Sequence, residues 1–277
     1  MKIGYLGPPG TFSEQALLDS GEAGAAELVP FHTIRETVLA VQEGKVDRAI
    51  VPIENSLEGT VNEAIDALVH EAPDVRIIGE SVLGIRHSLV TREPLKPEEI
   101  TVVYSHPQAL AQCAATLRKL VPQAATRSTT STAEAVRVIA ESDEPVAAIA
   151  GPLSAERPDI HVVDSDVGDY TGNQTRFIWL GLDDSRIGSG TEITTAIVFS
   201  GPGHEPGWLV ACLSEFSTRG VNLTRIESRP SRHELGHYIF LIDVEGPAGE
   251  PGPTREAIEG LTGRCSELRI LGSYPAG

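Results

Sequence analysis

The sequence predicts an α/β protein: a two-lobed region followed by a ferredoxin-like βαββαβ unit. Strand-like and helix-like segments alternate from Lys2 to about Leu182. Helix-start signatures follow strand-like runs four times. Beyond a polar, glycine-containing break at 183–190 the pattern becomes β-α-β-β-α-β.

The expected strands of the first part are Lys2–Leu6, Glu27–Phe31, Arg48–Ile53, Val75–Leu83, Thr101–Tyr104, Ala124–Ser128 and Val146–Ala150. Thr11-Phe12-Ser13-Glu14, Thr33-Ile34-Arg35-Glu36 and Ser131-Thr132-Ala133-Glu134 read as capping boxes, and Ser105-His106-Pro107-Gln108 reads the same way. Their order places one lobe at 1 to about 80 with 171–182, and a second at about 84–165. Val82–Gly84 and Val167–Tyr170 are the expected hinges, with a ligand cleft between the lobes. In the unit expected at 192–277, Ile193, Thr195, Ile197 and Phe199 alternate along a strand, and Leu209, Leu213 and Phe216 follow helical spacing. Strands at Val221–Ser228 and His237–Val244, a helix near Pro253–Gly263 and a strand at Leu268–Leu271 complete it.

Composition narrows the function. The net charge of −17 argues against a nucleic-acid partner. It also repels anions at long range, so local donors must capture any anionic substrate. Three scattered cysteines fit a reducing compartment. With no signal-peptide pattern and no apolar stretch of roughly 18 residues, a cytoplasmic protein without a membrane partner is expected.

Five segments carry candidate chemistry. Gly7-Pro8-Pro9-Gly10-Thr11 joins a strand to a helix and offers backbone N–H groups to an anion, unless Thr11 only caps the helix. No Gly-Lys-Ser/Thr follows, which disfavours a nucleotide. Glu54, Asn55, Ser56 and Thr60 follow an apolar strand, at the edge where α/β folds bind ligands. Ser105 is most simply a cap, and Gln112 shares a helical face with Gln108. His106 is a general-base candidate or a solvated first-turn histidine. In Gly172-Asn173-Gln174-Thr175-Arg176-Phe177 a hydroxyl adjoins a permanent cation, with no nucleophile or base; the alternatives are a structural ion pair for Arg176 and a plain strand position for Thr175. His233 and His237 lie four apart, but Gly236 argues against a helical metal site.

Taken together, Gly4-Tyr5-Leu6-Gly7-Pro8-Pro9-Gly10-Thr11-Phe12-Ser13, Pro52-Ile53-Glu54-Asn55-Ser56, Ser105-His106-Pro107-Gln108 and Thr175-Arg176-Phe177 resemble the prephenate dehydratase family. Glu227-Ser228-Arg229-Pro230 resembles the ACT regulatory domain attached to such enzymes. The resemblance implies a catalytic region like type II periplasmic binding proteins, conversion of prephenate to phenylpyruvate, water and carbon dioxide, and inhibition by L-phenylalanine. It implies no cofactor, no fused chorismate mutase, and a homodimer or homotetramer. Thr175 matches the catalytic threonine, with Arg176 and Phe177 completing its motif; Glu54, Asn55, Ser105 and Gln112 match positions lining the cleft. Gly207, Leu209, Val210, Asn222 and Leu223 match effector-binding elements, while Trp208 replaces a small residue. Arogenate dehydratase and an amino-acid sensor are the competing readings.

The chemistry suits such residues. Aromatisation drives loss of carbon dioxide and hydroxide, so a positioned donor is enough. Thr175 is expected to assist the leaving oxygen, with a protonated Glu54 as rival acid. Arg176 and the helix starts at Thr11 and Ser105 are expected to hold the side-chain carboxylate.

Overall fold

Apolar runs too short for helices build the first sheet. In the computed structural model, which describes residues 1–183, 185–188, 190–202, 205–232 and 236–277, the chain opens with β1 (Lys2–Leu6), α1 (Phe12–Asp19), β2 (Glu27–Phe31) and α2 (Ile34–Gln42). β3 (Arg48–Asn55), the two-residue β4 (Gly59–Thr60), α3 (Asn62–His70) and β5 (Arg76–Gly84) follow. A second sheet uses β6 (Ser88–Thr91), β7 (Val102–Ser105), α4 (Pro107–Gln112), α5 (Ala114–Leu120) and β8 (Ala125–Ser128). It continues through α6 (Thr132–Ala140), β9 (Val146–Ala150), α7 (Pro152–Ala155) and β10 (His161–Asp164). β11 (Gln174–Gly181) then returns to the first sheet, inserted antiparallel between β3 and β5.

The strand orders are β2-β1-β3-β11-β5 and β10-β6-β9-β7-β8. β9, Val146-Ala147-Ala148-Ile149-Ala150, is buried throughout, as expected of a strand covered on both faces. Two strands of the second sheet, β6 and β10, escape the sequence reading because Ser88-Leu89-Val90-Thr91 and His161-Val162-Val163-Asp164 are short and carry polar ends. The single helix expected after Ser105 breaks at Cys113 into α4 and α5.

The last strands and helices are β12 (Ile193–Ser200), α8 (Trp208–Ser217), β13 (Leu223–Pro230), β14 (Tyr238–Glu245), α9 (Pro253–Thr262) and β15 (Glu267–Pro275). Their sheet order is β13-β14-β12-β15, antiparallel throughout. Side-chain alternation splits this sheet between two cores. Ile197, Phe199 and Ile242 pack on Phe216 of α8 and Leu261 of α9. Ala196, Val198, Leu241 and Leu271 join Val38, Ile65, Leu68 and Ile178 of the first unit. Burial of a side chain of that kind stabilises by roughly 1.5–3 kcal/mol, so the C-terminal unit is docked rather than tethered. The approach is close at Gly272, where an added Cβ would lie 1.9 Å from the Ile77 carbonyl oxygen.

Two caps differ from expectation. Thr33 and Ser131 accept from Glu36 N and Glu134 N, half of a capping box each; the Glu36 carboxylate accepts from His32 N instead, and that of Glu134 pairs with Arg137. Thr11 occupies the N-cap of α1 but its hydroxyl donates to the Leu6 carbonyl. Ser105 belongs to β7, where its hydroxyl donates to the Ile149 carbonyl; the cap of α4 is His106, whose Nδ1 accepts from Gln108 N. Pro107 already occupies the first helical position, which moves the boundary one residue on.

Candidate active site

In the β3–β11 ladder Asn55 lies opposite Thr175 and Glu54 opposite Arg176. Successive strand residues face opposite sides, so the two pairs are parted by the sheet. Asn55 and Thr175 face the cleft between the first two sheets. Glu54 and Arg176 face the C-terminal unit.

The Asn55 amide has one possible orientation. Its Oδ1 accepts from the backbone N–H of Leu57 and Glu58 at 3.0 and 3.1 Å. Its Nδ2 must therefore donate, and it reaches Thr175 Oγ1 at 2.9 Å and Asn173 Oδ1 at 2.9 Å. Asn173 passes the polarity on, donating to Gln112 Oε1 at 3.0 Å. His87 Nε2 lies 3.1 Å from the same oxygen, which fixes it as the protonated nitrogen. Gln112 Nε2 donates across the cleft to Glu58 at 3.3 Å. Thr175 thus receives a hydrogen bond from Asn55, and its own hydroxyl proton is not spent on that contact.

The cleft encloses about 380 Å³, within the range of small-molecule sites. Its walls bring together the starts of α1, α4 and α6, at Thr11, His106 and Ser131-Thr132. Among the described residues no lysine or arginine lines it. Helix N-termini supply uncharged N–H donors with a favourable dipole for anions, so a carboxylate can be held without a side-chain cation. Burial lowers the pKa of both His87 and His106, which keeps both imidazoles neutral. Gly10, just before the α1 start, has a φ of +89° and an approach to Ser154 that leaves no room for a Cβ, which would sit 2.4 Å from that hydroxyl oxygen.

A comparison with known proteins decides the family. Residues 3–185 match the family model described as prephenate dehydratase. The prephenate dehydratase of Lactococcus lactis subsp. cremoris is 38% identical over 276 residues, covering 99% of this chain and 97% of that protein. The chain belongs to the prephenate dehydratase family. Among solved structures, the prephenate dehydratase of Arthrobacter aurescens in complex with L-Phe superposes with a TM-score of 0.88 at 37% identity, covering 99% and 90% of the two chains. A protein described as a novel type of quorum quenching acylase, GqqA, shares the fold at 28% identity with a TM-score of 0.87, covering 100% and 98%.

With the family known, the placement of each expected residue is informative. Thr11, Asn55, Gln112, Thr175 and Phe177 line the cleft together. Ser105 does not; its hydroxyl is buried against Ile149 one step from the wall. Arg176 is the main correction. Its guanidinium lies 3.1 Å from Glu54, 3.3 Å from Glu80 and 2.9 Å from Asp243, on the face away from Thr175. Its guanidinium is turned away from the cleft, and so is the Glu54 carboxylate on the same face, whereas both were expected there. Period-two counting from Thr175 selects Asn173 and Phe177 and excludes Arg176, so the signal was present in the sequence. His87 and the Ser131-Thr132 helix start were missed as site residues; nothing local separates them from a buried histidine and an ordinary cap.

The expected effector elements divide similarly. Gly207, Leu209 and Val210 border a cavity of about 210 Å³ with Trp208, Tyr238 and Phe240. The Trp208 indole turns onto Phe199 and Phe240, donates to the Arg264 carbonyl at 2.7 Å, and lies flat over Gly201. Asn222 instead donates to Glu245, and Leu223 packs in the C-terminal core. Among the described residues no group of His, Cys, Asp and Glu gathers as metal ligands; His233 lies outside them.

Proposed function

We infer that this protein is a prephenate dehydratase in which Thr175 assists departure of the ring hydroxyl. The observation that carries the reading is the Asn55–Thr175 hydrogen bond, which leaves the Thr175 proton directed to a ligand in a cleft without cations. As the ring carboxylate leaves as carbon dioxide, the electrons of its C–C bond flow through the ring. The C–O bond at the opposite carbon breaks, and the departing oxygen takes up a proton and leaves as water. A donor poised at that oxygen supplies general-acid assistance, typically worth about 10²–10⁴-fold. The helix starts at Thr11 and Ser131 hold the side-chain carboxylate, and the apolar wall of Phe12 and Phe177 leaves the departing carboxylate poorly solvated.

In the same reading residues 1–182 form the dehydratase region and 192–277 an ACT regulatory domain. L-phenylalanine binds beside Gly207-Trp208-Leu209-Val210, with Asn222 and Leu223 contributed by a second copy across a dimer or tetramer interface. The relative bound to L-Phe supports an amino-acid effector. The position of the Trp208 indole, turned into its own domain, supports a cavity that stays open despite its bulk. Among the described residues no helix is long and apolar enough to cross a membrane, which agrees with a cytoplasmic enzyme.

The test is direct: incubation of the full-length protein with prephenate and, in parallel, arogenate, following phenylpyruvate and phenylalanine formation with and without added L-phenylalanine. Rapid phenylpyruvate formation that added phenylalanine suppresses is the expected result. No turnover of either substrate refutes the reading.

A further inference from the structure

Strand β13 inverts the usual patterning of a sheet edge. Arg225, Glu227 and Arg229 turn inward toward the first unit while Ile226 is exposed. Glu227 accepts from Thr60 at 2.9 Å, Arg229 pairs with Asp66 at 2.8 Å, and Arg225 lies 3.9 Å from Glu54 and 4.0 Å from Asp243. Asp243, on neighbouring β14, is 5% exposed and forms a 2.9 Å contact with Arg176. Arg176 is one peptide bond from Thr175, and its cross-strand neighbour Glu54 is one peptide bond from Asn55.

The ladder is irregular at this point. Arg176 pairs with Glu54 but Phe177 pairs with Pro52, so Ile53 is an extra residue on β3. Pro52, which has no N–H to give a central strand, is accommodated at the bulge. Bulges next to active sites re-aim side chains and increase local twist. The Thr175–Arg176 step therefore lies directly beside the bulge on its β3 side, while on its β5 side Thr175, Arg176 and Phe177 pair in regular register with Leu83, Val82 and Ser81. Tyr274 closes the cluster from the C-terminal unit; it is 1% exposed, and its phenol stays neutral because burial, then Asp243, push its pKa well up.

We propose that Asp243 is a positioning residue for the dehydratase reaction: through Arg176 it holds the bulged β3–β11 segment so that Asn55 and Thr175 keep their alignment in the cleft. The C-terminal unit thereby completes the active site by gripping the back of its strand. The inference rests on the dehydratase reading above. It places the grip of the C-terminal unit on the catalytic strand at one ion pair, distinct from the shared apolar core and from the Asp66–Arg229 contact farther along β13.

The experiment compares Asp243→Asn, Asp243→Glu and Asp66→Asn in the full chain, measuring kcat and KM for prephenate alongside thermal melting. Small misplacements of catalytic groups cost up to about 10²-fold. Asp243→Asn is expected to lower kcat roughly tenfold or more with KM within about twofold of wild type. Asp243→Glu should recover much of the loss. Asp66→Asn, which loosens the same interface away from Arg176, should leave kcat near wild type. A kcat for Asp243→Asn within twofold of wild type overturns the proposal. So does an equal fall in Asp66→Asn, which would make general docking responsible. Should Asp243→Asn fail to melt cooperatively, Arg176→Lys carries the same test, because the shorter cation cannot reach all three carboxylates. A wild-type protein inactive on prephenate refutes the underlying reading instead.

Discussion

The two faces of β11 hold their polar groups by opposite means. On the cleft face Thr175, Asn55, Asn173, Gln112 and His87 form a chain of neutral hydrogen bonds that ends in an uncommitted hydroxyl proton. On the other face Arg176, Glu80 and Asp243 have side chains 18%, 10% and 5% exposed and are joined as ions. A buried ion pair is strong only while both partners are present, and a cation so engaged is not free for a substrate. A neutral network lacks that attraction but can present a donor without a counter-charge. On the proposed reading, adjacent residues of one short motif therefore divide into a chemical half and a mechanical half.

The largest expected effect breaks the chemical half. Thr175→Ala removes the donor while leaving the Asn55 amide anchored by its own turn. Loss of a general acid predicts kcat reduced by about 10²–10⁴-fold with KM nearly unchanged. The melting temperature should barely move, because a half-buried hydroxyl and one hydrogen bond contribute only about 1 kcal/mol. Steady-state kinetics with prephenate check this. A kcat equal to wild type would remove Thr175 from the reaction.

Breaking the mechanical half should invert that profile. Arg176→Ala strips Glu80 and Asp243 of their shared cation and leaves Asp243 with Arg225 at 4.0 Å. Stranding buried charges in this way typically destabilises by about 3–5 kcal/mol. Denaturant unfolding should show this loss, with a kcat penalty smaller than that of Thr175→Ala. If the variant is as stable as wild type but loses binding of prephenate, Arg176 reaches the substrate after all and the division between faces fails.

Sequence reasoning located the cleft face better than the back face, for a physical reason. Glu54-Asn55 and Thr175-Arg176-Phe177 stand out as polar residues at strand ends, and a strand's period of two sorts them by face. Which face meets substrate depends on what covers the other, and that is set by long-range docking of β14. Asp243 sits between Ile242 and Val244 in an apolar strand, with no local sign that its partner is 67 residues away. The β3 bulge is equally silent, although Pro52 in a central strand is a hint of it. The βαββαβ order was legible because its strands and helices are long and periodic. The second sheet was only partly so, since β6 and β10 are short and carry polar residues at both ends. His87 was invisible because its role comes from Gln112, 25 residues away on α4.

The smallest effect concerns acidity, and it sharpens the contrast because a neutral network is sensitive to protonation where an ion cluster is not. Burial, the largest influence, lowers the pKa of His87, opposed by its hydrogen bond to Gln112 and the charge of Asp166. In the unfolded chain the imidazole titrates near about 6.5. Between that value and the depressed folded value the unfolded state binds more protons, so stability rises with pH there. The contribution is complete above about pH 6.5 and is lost as pH falls from there through the folded pKa. Half-buried His106, which accepts from Gln108 N, has the same sign. The carboxylates held low by partners, such as Asp66 beside Arg229 and Arg232, act below about pH 4 and stay out of this window. Melting temperature should therefore fall between pH 7 and 5 by less than the loss in Arg176→Ala. His87→Gln, whose Nε2 can still donate to Gln112, should flatten the slope. An unchanged slope in that variant would move the sensitivity to His106 or elsewhere and leave His87 as a spacer between Phe12, 5.6 Å from its ring, and Gln112.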